Sequence, residues 1–392
     1  MNTQQDFLDE FRKWSNIDLT WIAWSWKTYI IKQAIAEAED QWKNVIIAAP
    51  TGIAAINAWG STIHSIFKLF WNNYHTNPTT MVNFDDIDIL FFEEDSMINT
   101  LLFDYSDKVV RKNCSVKDKP FGWKQVICVW DKAQLPPIFN MWDSIQRQQY
   151  NKLMEDKWWV TFDLSNAYKE WNFVKINLTE PQRSKDPRLN DLLNRIREWD
   201  MKAIKEFKTE WYTSQFYNKA THIFATNNEV DWFNYERLLK IPWKQIIFKW
   251  VIRGDFNMNN VLVPKELKLK LWARIMVCKN LPNGLVNGDT WEILKIDLSN
   301  LEITIMSDRL EEEKVIWLEK WENIVYDEHW NKEVKWTLRH FPLKLWWAIT
   351  AHKSQGLTLD KVMFHYKPHL TQELVYVACS RAKEYENIYI IK

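Results

Sequence analysis

Glycine is scarce in this chain of 392 residues, with only 7 present. Ordinary usage of about 7% would give roughly 27 at this length. Tight turns, helix ends and phosphate-wrapping loops are therefore short of the residue that takes positive φ without strain. Cysteine is sparse too. Cys114, Cys128, Cys278 and Cys379 have no paired ligand spacing, which excludes a zinc ribbon or a disulfide framework and suggests reduced thiols in a cytosolic protein. Neither charge sign is in excess: Lys+Arg and Asp+Glu both total 51. A global basic field is excluded, so any pull on nucleic acid must come from a local groove. Long apolar runs are also missing. The start, "MNTQQDFLDEF", has no apolar signal core, and "VIIAAPTGIAAINAW" is broken by Pro50, Thr51 and Asn57. Neither an export signal nor a membrane span is expected.

What the chain has in their place is tryptophan, 26 of them. The glycine and tryptophan counts together come close to the glycine expectation. The tryptophans also sit where turn chemistry favours glycine: "DEHWNKE" around Trp330, "KIPWKQ" around Trp243, and "IREWD" at Trp199 after a helical run. In a genuinely Trp-rich protein the surplus should fall in apolar stripes, whereas these lie beside Asn, Asp, Lys and Pro. Most of them are expected to stand for glycine. The expected source is a UGA codon written as tryptophan for a lineage that decodes it as glycine.

The length suits two or three compact units. In the first half, short apolar runs alternate with helical stretches: "NIDLT", "KTYIIKQAIAEAED", "NVIIAA", "DIDILFF", "KQVICVW" and "NFVKINL". That rhythm predicts a parallel sheet with crossover helices, an α/β fold. A second alternating unit starts near "THIFAT" and resumes with "LWWAIT", "KVMFHY" and "NIYIIK". Between them, roughly 250–338, short strands with hairpin-like turns predict a small β-rich insertion.

The stretch "TWIAWSWKTYIIK" (20–32) carries the spacing G-x-x-x-x-G-K-[ST] with Trp21 and Trp26 at the glycine positions, then Lys27 and Thr28. Such a loop wraps the β-phosphate in successive N–H groups at a helix N-terminus. Trp21, Trp24, Ser25 and Trp26 would line it, Lys27 would reach the β/γ-phosphates of ATP, and Thr28 would hold Mg²⁺. Three indoles would fill that nest, so ATP binding is expected only with glycine at 21, 24 and 26. "DIDILFFEEDSM" is an apolar strand ending in acids. Glu93 is assigned to the metal through its waters, and Glu94 to general-base work on the attacking water. In "VWDKAQLPP", Gln134 is placed to sense the γ-phosphate. His64 and His352 fit half-buried packing as well as DNA contact, while their neighbours Thr62, Ser65 and Ser354 suit phosphate and sugar.

Taken together these segments resemble the superfamily-one helicases of the RecD-like, PIF-type group over almost the whole chain. "VIIAAPTGIAAINAWGSTIHSIF" resembles the DNA-contacting motifs Ia and Ic, which include Thr51, Thr62 and His64, with Trp59 at a family glycine. "KPFGWKQVICVWDKAQLPP" resembles motif III, with Trp123 and Trp130 at family glycines. "INLTEPQRSKDPRLNDLLNRIREWD" resembles motif IV and makes Arg183 an ATP-contacting arginine. "WAITAHKSQGLTLDKV" resembles motif V, which implies nucleotide contacts at Gln355 and Gly356 and DNA contacts at His352 and Ser354. "YVACSRAKEYENIYII" resembles motif VI and makes Arg381 the arginine finger. Gln5, with Gln4 beside it, matches the adenine-reading glutamine, and Asn227 joins the expected DNA contacts. One departure is the motif II pair: the family has Asp-Glu where this chain has Glu93-Glu94 followed by Asp95.

The resemblance implies two RecA-like P-loop units, 1–176 and 177–250 with 339–392, the second carrying an SH3-like β insertion at 251–338. It implies a small wedge at about 68–85, within which Phe70 and Tyr74 are candidates to stack on bases. Implied too is ATP- and Mg²⁺-dependent translocation on single-stranded DNA, 5′ to 3′, with unwinding at duplex junctions. The setting would be the cytoplasm, bacterial or phage-encoded and nucleoid-associated. Two rivals stand beside it: a catalytically dead DNA-binding relic, if the P-loop tryptophans are real, and a motor acting on RNA.

Overall fold

The computed structural model describes residues 3–21, 27–50, 55, 58, 60–68, 82–137, 161–178, 186–209, 214–254, 263–285, 289–307, 312–326 and 332–392. Outside them lie Thr51, Trp59, Arg183, Trp330, the heart of the expected wedge (69–81), and the phosphate-loop residues Trp24, Ser25 and Trp26. The chain divides into two compact units, one formed by 1–217 with 351–392 and the other by 218–350.

In the first unit the apolar runs become β1 (Ile17–Trp21), β2 (Val45–Ala49), β3 (Ser61–Thr62), β4 (Ile89–Glu93), β5 (Gln125–Trp130) and β6 (Val174–Leu178). They form one sheet in the order β3-β2-β4-β5-β1-β6, parallel at every pairing. A parallel sheet is covered on both faces, so its central strands are continuously apolar. Accordingly every residue of β4 and β5 is buried. Phe92 packs on Phe103 and Phe121 with ring centroids 5.1 and 5.8 Å apart, and Phe103 sits on the helix Thr100–Lys112 that connects β4 to β5. That helix starts where Asn99 accepts the Leu102 N–H at 2.8 Å. The C-terminal part of this unit adds the parallel pair Val362–His365 and Ile388–Ile391.

In the second unit, Thr221–Phe224 pairs in parallel with Ala348–Thr350. The stretch expected to be β-rich is antiparallel. One sheet orders strands 312–316, 302–307, 290–297, 274–277 and 343–345; another orders 319–326, 332–340 and 251–254.

Tryptophan marks the ends of three helices. After Gln4–Arg12, Lys27–Asp40 and Pro187–Arg197 come Trp14, Trp42 and Trp199, with φ of 64°, 60° and 68°. At each end the tryptophan N–H reaches the carbonyl three residues back: Phe11, Glu39 and Ile196. The next N–H reaches back five, to Glu10, Ala38 and Arg195. This pair of bonds is the Schellman motif, whose left-handed residue is usually glycine. Trp123 and Trp272 also have positive φ, 66° and 64°. Other tryptophans are buried in the core, including Trp130, Trp291, Trp336, Trp346 and Trp347.

Candidate nucleotide-binding site

The parallel register sets the site. Thr20 on β1 lies opposite Trp130 on β5, and Val129 on β5 lies opposite Glu93 on β4. The carboxyl ends of three adjacent strands are therefore level. In an open parallel sheet this edge is where ligands bind. From β1 the chain runs through 22–26 into the helix that opens with Lys27 and Thr28, the strand–loop–helix order a phosphate loop requires.

β4 delivers three acids to this edge. Glu93 is buried, and its Oε2 accepts the Glu94 N–H at 3.2 Å. Glu94 has φ 54° and ψ 42°, a left-handed conformation that costs a non-glycine residue about 1–2 kcal/mol. Strain of this kind persists where the surroundings fix a functional turn. Asp95 is fully buried, and its Oδ2 accepts the Val129 N–H at 3.0 Å, fastening the end of β4 to β5. Burial raises the Asp95 carboxyl well above the usual carboxylate range. Asp95 is thus a structural acid, fully occupied in joining the end of β4 to β5.

β5 delivers Asp131 and, one turn on, Gln134. The Gln134 N–H donates to the Asp131 carbonyl at 3.0 Å, and its Oε1 accepts from Gln355 Nε2 at 2.7 Å. The same Gln355 nitrogen donates to Ser96 Oγ at 3.0 Å. Gln355 follows the short helix Ala351–Ser354, so residues 221 apart in sequence meet at the sheet edge. Gly356, next in line, takes φ 78°.

Arg381 is nearly buried, at 7% exposure. Its Nε donates to the Val377 carbonyl, its Nη1 to those of Ser354 and Leu357, and its Nη2 to Ser380 Oγ, at 2.7–3.2 Å. It braces the turn that carries Gln355. Ser354 is buried and its hydroxyl donates to the Ala351 carbonyl at 2.8 Å. Burial lowers the His352 pKa, so its imidazole is neutral at pH 7. Thr62 caps the helix Ile63–Ile66 by accepting the Ser65 N–H at 3.2 Å, and His64 lies on that helix. Gln5 is exposed on the first helix and donates to Asp9 at 2.6 Å. Asn227, in the second unit, opens the helix Asn227–Leu239 behind its cap Thr226. Glu94, Gln134 and Gln355 are gathered at one part of this edge; Thr62, followed by His64, lies farther along the same edge at the end of β3, and Gln5 lies on the first helix.

The PIF1-like helicase family model matches residues 17–206. The model of the viral superfamily 1 RNA helicase core domain matches 285–390. A Bdellovibrio bacteriovorus ATP-dependent DNA helicase Pif1 is 26% identical over 99% of this chain and 87% of its own length. The crystal structure of Bacteroides Pif1 bound to ssDNA superposes with a TM-score of 0.81 at 28% identity, covering 99% of this chain and 91% of that one. The same protein in complex with ADP-AlF3 and ssDNA also gives 0.81, at 29% identity and with the same coverage. The chain is similar to PIF1-like helicases over nearly its whole length. Some relatives are longer: the chain spans 59% of the Xenopus laevis PIF1 sequence, to which it is 25% identical over 96% of its own length.

Four residues of this PIF1-like chain were not singled out by the sequence: Ser96, Asp131, Arg197 and Tyr376. Asp131 is 0% exposed, and its carboxylate accepts from Tyr376 Oη at 2.8 Å, from the Ala133 N–H at 3.0 Å and from Arg197 Nη2 at 3.3 Å. Burial raises its pKa, with Arg197 opposing. A signal was available, since Asp131 is the lone acid closing an apolar strand one turn before Gln134. Trp130, expected from the resemblance to stand at a family glycine, fills space here: it is buried, and its Nε1 donates to Asp18 Oδ1 at 2.7 Å.

Proposed function

We propose that this chain is an ATP-driven motor that moves 5′ to 3′ along single-stranded DNA and parts duplex at junctions, in repair, recombination or replication. The single observation that supports it most is the meeting of Gln134 and Gln355 at the carboxyl edge of one parallel sheet, where β4 ends in Glu93 and Glu94 and beside the strand–loop–helix that opens at Lys27. In this reading the loop and Lys27 cradle the phosphates, Glu94 takes the proton of the attacking water, and Gln134 with Gln355 orients the γ-phosphate side. Arg183 and Arg381 complete the charge stabilisation. Thr51, Thr62, His64, Asn227, His352 and Ser354 contact DNA. Two RecA-like units, 1–176 and 177–250 with 339–392, and an SH3-like insertion at 251–338 carry the movement.

Mg²⁺ fits the donors present. Glu93 brings a hard oxygen donor to the edge, and among the described residues no group of three His, Cys, Asp or Glu forms a metal cage. That suits a cation held by one carboxylate, water and phosphates. Glu93 with Thr28 would hold Mg²⁺, which when bound with ATP would supply charge neutralisation to the phosphates.

The reading includes glycine as the native residue at most tryptophan positions, 21, 24 and 26 above all. Its support is the three Schellman ends that hold Trp14, Trp42 and Trp199 in a glycine conformation.

The test is ATP hydrolysis by protein carrying glycine at 21, 24 and 26, with and without single-stranded DNA and, in parallel, RNA. DNA should stimulate the rate. Glu94→Gln should lower kcat by roughly 10²–10⁴-fold while ADP binding persists. Hydrolysis that ignores DNA would end the motor reading. Mass spectrometry of the native tryptic peptide 14–27 separates motor from relic, because indoles at 21, 24 and 26 leave only the relic.

A further inference from the structure

Asp131 is a charged side chain with no exposure to solvent, held by groups from three separate stretches of chain. An ionised carboxylate survives such burial only when it is paired and hydrogen-bonded. One bond is local, the Ala133 N–H at 3.0 Å, which shapes the turn leading to Gln134. The other two are remote. Tyr376 reaches it from the helix Gln372–Cys379, 245 residues away in sequence, and Arg197 from the last turn of Pro187–Arg197. Those two helices are fastened to each other right there: Gln372 Nε2 donates to the carbonyls of Ile196 and Arg197 at 2.7 and 2.8 Å.

The output of this hub is Gln134. The Asp131 carbonyl accepts the Gln134 N–H at 3.0 Å, so the main chain and side chain of one residue together define where Gln134 begins. Gln134 then meets Gln355, and Gln355 meets Ser96, two residues past Glu94. A shift of either helix pulls on the Asp131 carboxylate and is felt by the group facing the nucleotide.

We propose that Asp131 is a positioning residue: clamped by Tyr376 and Arg197, it fixes Gln134 in its reactive orientation and links hydrolysis to the placement of the helices 187–197 and 372–379. It touches no substrate and transfers no proton. The proposal rests on the nucleotide-hydrolysis reading above and adds residues to its machinery. A purely structural clamp would produce a different outcome, with stability and kcat falling and KM rising together.

Tyr376→Phe is the cleanest probe. It removes one hydroxyl, keeps the ring, and leaves Asp131 with Ala133 and Arg197. In the full chain with glycine at 21, 24 and 26, DNA-stimulated kcat should fall about tenfold, since sub-ångström misplacement of a reacting group is already costly. KM for ATP should stay near the parent value, and the thermal midpoint should fall by only about a few degrees, the cost of one buried hydroxyl lost from a carboxylate that keeps two partners. Arg197→Lys, which keeps the charge and loses the planar fork, should behave the same way and replaces Tyr376→Phe should that variant not fold. Unchanged kcat in folded variants overturns the proposal and leaves the helicase reading intact. So does a fall in kcat matched by equal losses in ATP affinity and stability. A parent that hydrolyses no ATP overturns the helicase reading, and this inference with it.

Discussion

A left-handed residue with a Cβ pays a steric penalty wherever it sits, and at Trp42 nothing repays it, since its side chain is 93% exposed. Trp199, 68% exposed, is in the same position. Replacing either with glycine removes a clash of about 1–2 kcal/mol and gives part of that back as chain entropy in the unfolded state. A net gain of about 1 kcal/mol each is expected in urea unfolding of the tryptophan-bearing protein. Trp14→Gly should gain less, because Lys43 lies 5.1 Å over its ring and that contact is lost. The control is Trp42→Ala, which keeps the Cβ and should gain almost nothing. If alanine stabilises as well as glycine, the conformational argument is wrong. At this scale the sequence was readable wherever a residue's role is local. The composition shows how few glycines are present for left-handed helix ends, and the acids after an apolar run fall where β4 ends at the sheet's carboxyl edge. Asp131 was passed over because its partners Arg197 and Tyr376 are brought to it by tertiary packing alone.

Strands and helices were the most legible level. "NIDLT", "NVIIAA", "DIDILFF", "KQVICVW" and "NFVKINL" became β1, β2, β4, β5 and β6, because buried parallel strands need unbroken apolar runs and those runs are visible. Their order across the sheet was not legible, since no local pattern says that β1 slots between β5 and β6. Nor was the two-residue β3, which is held by a close approach to β2 in which a side chain has no room. A Cβ on Gly60 would lie 2.2 Å from the Ile47 carbonyl oxygen and 2.7 Å from the Ile47 Cβ. The clash is with backbone, so Gly60→Ala must push β3 away from β2 together with the helix behind it. That helix carries His64 and begins at Thr62. The expected result is a loss of about 1–3 kcal/mol in stability, in the range of over-packed cores. Weaker single-stranded DNA binding should accompany it, with KM for ATP little changed. Unaltered DNA affinity in the destabilised variant would remove Thr62 and His64 from the DNA-binding set.

The two compact units differ in how their buried titratable groups respond to acid, and this difference separates them at the scale of the molecule. His340, in the unit 218–350, has no exposure, and burial lowers its pKa to about 4, with the Pro264 carbonyl pulling the other way. Its ordinary value is about 6.5, so between pH 6.5 and 4 the unfolded chain binds a proton that the folded unit refuses. Stability of that unit therefore falls as pH falls through this window, by about 2 kcal/mol on reaching pH 5. In the other unit, Asp18, Asp95, Asp107 and Asp131 are all raised by burial. On those four carboxyls the folded state holds the extra proton, so acidification through the raised values relieves a penalty, while His352 in the same unit, lowered by burial, works against it. Scanning calorimetry from pH 7 to 5 should show the 218–350 transition moving down relative to the other by about 5 °C, at roughly 2–4 °C per kcal/mol for a unit this size. His340→Leu should abolish most of that relative movement, because it removes the proton-binding group and keeps the site apolar. Parallel movement of both transitions, or a relative shift that survives His340→Leu, would place the acid sensitivity in groups other than this histidine.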